Sequence, residues 1–133
     1  MKIVHPVPLL RQALLADAVT SAACALLLIA AAGPLAGLLG LPAGLLRGAG
    51  IVLVPFVALL AVMAMRDSLP CILVGAVIAG NAVWAVESAL LLASGRVEPT
   101  RAGYAFVVAQ AIVVAMYAQL QFMGLRRSNL ATA

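Results

Sequence analysis

The chain has 133 residues, of which 66% are hydrophobic and 9% charged, with a mean hydropathy of +1.22. This balance excludes an ordinary soluble globular domain, and four apolar segments joined by short connections leave no room for a soluble core of useful size. The net charge of +4 does not point to nucleic acid: the eight Lys and Arg residues are scattered at segment ends, where they anchor helices among headgroups, and no basic run or aromatic-basic platform is present.

The first span is expected over residues 10–33, with Arg11 at its mouth and an apolar body over residues 22–32. Lys2 and Arg11 ahead of this run, and AAAG after it, resemble a signal peptide, yet the expectation is that the stretch is retained as a span. Cys24 precedes the most hydrophobic stretch instead of following it, which disagrees with a lipoprotein. Pro34 is expected to stop the first span. Residues 33–50, GPLAGLLGLPAGLLRGAG, are too rich in glycine and proline for a spanning helix and too apolar for a solvated loop. They read as one or two short helical turns in the membrane interface.

The second span is expected over residues 48–65, with a kink at Pro55. Arg66, Asp67 and Ser68 form a tight turn, and Pro70 opens a third span over residues 70–93, in the first-turn position where proline costs little. Residues 94–100 are the only strongly polar connection inside the chain. A fourth span is expected over residues 101–124, followed by Arg126, Arg127 and a short tail. The expected fold is thus an all-α membrane protein, one domain of four transmembrane helices with an interfacial segment between the first and second. The even count puts both termini on one side, together with Lys2, Arg11, Arg66, Arg126 and Arg127, against Arg47, Arg96 and Arg101 on the other. The positive-inside rule then places the termini in the cytoplasm.

Polar residues within the spans carry most of the remaining information. Asp17, Thr20, Ser21 and Cys24 recur at offsets of three, four and seven and share a helix face directed into protein. Asp17 reads as a carboxylate near the helix mouth, satisfied by Arg11 or by water, and alternatively as a proton or cation site. In the third span, Gly75 with Ala79 and Ala76 with Gly80 form two pairs of small residues that allow close helix approach, which marks this helix as the central one. Trp84 reads as a packing aromatic. Glu87 lies near the far end of the span, where an ion pair with Arg96, Arg101 or Arg47 is expected, the alternative being a transport carboxylate. In the fourth span Gly103, Gln110, Tyr117 and Gly124 are spaced by seven, with Phe106 and Val113 between them, as in a heptad packing stripe. Counting residues from the two membrane faces places Asn81 and Gln110 at similar depth, so a hydrogen bond between them is expected.

No arrangement supports catalysis. His5 is the only histidine, which removes histidine triads and zinc motifs of the HExxH type. Cys24 and Cys71 have neither CxxC spacing nor similar depth, and no phosphate-binding glycine loop occurs. No catalytic residue, cofactor site or metal site is expected.

The stretches GNAVWAVESALLLASG and TRAGYAFVVAQAIVVAMYAQLQFMGLRR, with LLGLPAGLLRGAG before them, resemble small uncharacterised four-span integral membrane proteins of the bacterial inner membrane. The resemblance implies a four-helix membrane fold and a bacterial source, and supplies no functional residue. Small multidrug transporters share the size and span number, but Asp17 is closer to the helix mouth than their carboxylate, and their aromatic-rich lining is missing. The expected function is helix–helix assembly by a non-enzymatic membrane protein, a homo-oligomer or a subunit of a larger membrane protein. Alternatives are a small proton-coupled transporter and a lipid- or isoprenoid-binding protein with residues 33–50 as its lip.

Overall fold

The computed structural model describes residues 1–132. It contains five helices, α1 (Pro8–Ala30), α2 (Ala32–Leu39), α3 (Ala43–Ala64), α4 (Cys71–Ala93) and α5 (Arg101–Thr132), and a two-stranded sheet of β1 (Ile3–Val4) and β2 (Leu69–Pro70). Helices α1, α3, α4 and α5 are each long and apolar enough to cross a membrane. The chain is therefore built as a multi-pass membrane protein.

The boundaries follow from local chemistry. Pro8 opens α1 at a first-turn position, where its missing N–H would have had no partner. Pro34 does end α1, but the break falls at Ala31, because a continuing helix would drive the proline ring into the carbonyl of Ala30. The chain restarts at once as α2, with Pro34 in its first turn, and α2 ends at Gly40 in the left-handed conformation. Helix α3 begins at Ala43, five residues before the expected start, and absorbs Gly44 and Gly48 as well as the interior Pro55. Pro70 lies just before α4 instead of inside it, with an extended ψ of 129°. Helix α5 continues eight residues beyond the expected end at Gly124.

Helix α1 is central, packed against both α3 and α5, while α4 leans on α5 and hardly touches α3. This corrects the expectation that the third span is the central one. Only Val74, Val77 and Asn81 of α4 are buried, and Ala76, Ala79 and Gly80 face outward. Two apolar clusters fill the bundle, one around Leu10, Leu14, Leu60 and Met63, the other around Leu28, Leu39, Leu46 and Leu53.

The N-terminal segment closes one end of the bundle. Strand β1 pairs antiparallel with β2 in the α3–α4 turn, and the Cys71 amide donates to the Lys2 carbonyl at 2.9 Å. The Val7 amide donates to Ser128 Oγ at 3.0 Å, and His5 Nδ1 lies 2.9 Å from the Asp67 carbonyl oxygen. Both termini and the α3–α4 turn therefore share one end. At the other, the Thr100 amide donates to the Leu39 carbonyl at 3.0 Å and ties α2 to the start of α5.

Candidate functional site: a buried polar layer and the seam beside it

Between the two apolar clusters lies a polar layer of Asp17 and Ser21 from α1, Asn81 from α4 and Gln121 from α5. Asp17 and Gln121 are fully buried, and Asn81 is 3% exposed. Asp17 Oδ2 accepts from Asn81 Nδ2 and from Gln121 Nε2, each at 2.7 Å, while Oδ1 accepts from Ser21 Oγ at 3.0 Å. Asn81 Nδ2 also donates to Gln121 Oε1 at 3.0 Å. Three donors on one acceptor-only group offset the cost of placing a carboxylate in low dielectric, and the donors come from three helices. The layer therefore fixes the register of α1, α4 and α5 together.

Arg11 is not the partner of Asp17. Six residues along a helix turn the side chain about 120° away, so the two cannot share a face. Arg11 caps the end of α3 instead, donating from Nη1 to the Ala64 carbonyl at 2.7 Å and from Nη2 to the Arg66 carbonyl at 3.1 Å. It also forms a solvent-exposed ion pair with Asp67 at 3.3 Å. The expected bond between Asn81 and Gln110 is likewise absent: Asn81 meets Gln121, and Gln110 lies eleven residues, about three turns, away from Gln121 along α5. Gln110 joins a second group, accepting from Trp84 Nε1 at 2.9 Å and donating to Ser88 Oγ at 2.9 Å. Tyr117 and Thr20 hydroxyls meet at 2.6 Å across α1 and α5.

Gln121 and Ser128 are missed by the seven-residue stripe on α5. The inward positions alternate by four and three: Gly103, Val107, Gln110, Val114, Tyr117, Gln121, Gly124 and Ser128, each buried or half-buried. Choosing Phe106 and Val113 as the second set, instead of Val107 and Val114, hides the half of the heptad that holds Gln121.

Because α4 stands off α3, a seam runs along the bundle. A cavity of about 170 Å³ on this seam reaches Ser21, Phe56, Gly80 and Asn81 at the level of the polar layer. A larger one of about 320 Å³ lies nearer the α2 end, lined by Cys24, Leu45, Trp84, Glu87, Phe106 and Gln110 among others. Glu87 is exposed on its rim and makes no ion pair with Arg96, Arg101 or Arg47, contrary to expectation. Among the described residues no group of three or more His, Cys, Asp or Glu is placed to hold a metal ion. No protein-family model, curated protein or solved structure matches this chain.

Proposed function

We propose that this chain is a non-enzymatic integral protein of the bacterial inner membrane that acts by helix–helix assembly, as a homo-oligomer or as a subunit of a larger membrane protein. The observation that carries this reading is the state of the buried polar groups. Every buried side-chain nitrogen and oxygen among the described residues has a hydrogen-bond partner within the bundle. A proton or solute path needs polar groups free to take on a passing ion or water, whereas these are occupied in joining one helix to another. The uncovered small residues Ala76 and Gly80, on the side of α4 that borders the seam, supply the docking face. Leucine there would be equally at home in lipid, but only small residues let a second backbone come close. The five cations at the end holding the termini, against three at the other, favour a cytoplasmic location for that end.

The test compares Gly80→Leu with Ala89→Leu. A Cβ at Gly80 meets only Phe56, at an ordinary 3.8 Å, so the longer side chain is accommodated within the bundle and projects into the seam. Gly80→Leu is expected to lower the assembled fraction in mild detergent while keeping the thermal midpoint near wild type, and Ala89→Leu to leave both unchanged. Equal assembled fractions for the two variants would remove this face from the interface.

A further inference from the structure

The larger seam cavity has a chemistry of its own. Its volume of about 320 Å³ falls at the lower end of small-molecule sites, ~300 to 1,000 Å³. Leu28, Leu41, Leu46 and Leu91 make most of it hydrocarbon, and its exposed lining residues are Leu45 of α3 and Glu87 of α4, both on helices long and apolar enough to span a membrane. The few polar groups in the wall have their donors engaged. Trp84 Nε1 donates to Gln110, Ser88 Oγ donates to the Trp84 carbonyl, and Gln110 Nε2 donates to Ser88 and to the Val107 carbonyl. Apart from the weakly polar Cys24 thiol, what is left over can only accept, and its strongest member is the Glu87 carboxylate, exposed on the rim without an ion-pair partner among the described residues.

We propose that this half of the seam is a lateral lipid site that takes one acyl chain of a phospholipid and pairs the lipid's primary ammonium headgroup with Glu87. The hydrocarbon wall suits the chain. Glu87 lies six residues before the end of α4, ~9 Å along the axis, so its flexible side chain reaches toward the headgroup level. An acceptor-only anionic rim calls for a cationic donor, and a primary ammonium supplies both charge and N–H groups. A quaternary ammonium supplies the charge alone. The assembly face at Ala76 and Gly80 lies about two turns or more closer to the termini, so the headgroup contact at Glu87 and the close helix contact fall at different depths.

Trp84 is the only tryptophan and lines this cavity, so its fluorescence reports on the site directly. The wild-type protein, Glu87→Gln and Ala49→Phe are reconstituted in nanodiscs with increasing fractions of phosphatidylethanolamine or phosphatidylcholine carrying the same brominated chains. Wild-type quenching is expected to reach half its maximum at about tenfold lower mole fraction of the ethanolamine lipid, the ratio one charge-assisted hydrogen bond supports. Glu87→Gln should bring the two lipids level, and Ala49→Phe, which fills the cavity from α3, should weaken quenching by the ethanolamine lipid. Equal mole fractions for the two lipids in wild type, or a preference that survives Glu87→Gln, would overturn the assignment. Undiminished quenching in Ala49→Phe would place the lipid outside the cavity and overturn it as well.

Discussion

Asp17 joins three helices because a carboxylate offers several lone pairs and no hydrogen, and each of its neighbours is a donor with no better partner nearby. An amide in its place keeps this arrangement: the amide oxygen accepts from Asn81 and Gln121, and the amide nitrogen donates to Ser21 Oγ. Asp17→Asn is therefore expected to stay within about 1 kcal/mol of wild type, as the charge cost it removes offsets weaker hydrogen bonds. Asp17→Leu leaves buried donors on Asn81 and Gln121 without their acceptor, at ~1–3 kcal/mol for each unsatisfied group. Thermal unfolding in detergent separates the two, and equal losses for both variants would contradict this account of the layer. The sequence made the inward direction of Asp17 and Ser21 legible through their helical spacing. It did not reveal their partners, because a side chain on one helix is matched to another only by the rotation and depth of both, and Gln110 and Gln121 differ in depth by about three turns of α5.

Close helix contact explains the buried glycine in the last third of α5. A Cβ on Gly124 would lie 2.7 Å from Leu10 Cα and 2.9 Å from Leu10 N, atoms of the α1 backbone that cannot yield separately. Gly124→Ala is expected to push the first turns of α1 away from α5 and destabilise the bundle by ~1–3 kcal/mol, despite alanine's better helix propensity. A thermal midpoint at or above that of wild type would show that α1 and α5 tolerate separation here. Helix boundaries were legible to the extent that side chains set them: α4 and the start of α5 agree with expectation closely. The start of α3 was hidden because Gly44 and Gly48 count as breakers by propensity, while tertiary contacts of Leu46, Gly50 and Leu53 hold the turns together. The extension of α5 was hidden because its polar residues read as a tail. Ser128 in fact bonds back to the Gly124 carbonyl at 2.8 Å and receives the Val7 amide.

At the scale of the molecule, the N-terminal clasp and the α2 contact with α5 fasten the two ends, and the polar layer fixes the middle. Number of spans, common side of the termini and membrane class were all legible from hydropathy and chain order. The identity of the central helix was not, since small residues mark close approach without saying whether the approaching helix belongs to the same chain. Here α1 takes the centre and leaves the small residues of α4 outside, where assembly would use them. The direct measurement is photo-crosslinking in membranes of the source cell, with a photoreactive residue placed at position 80 and, as a control, at position 89. Position 80 is predicted to yield a discrete protein adduct, of twice the chain's mass or of a single larger partner, and position 89 none. Lipid adducts alone from position 80 would contradict assembly through this face.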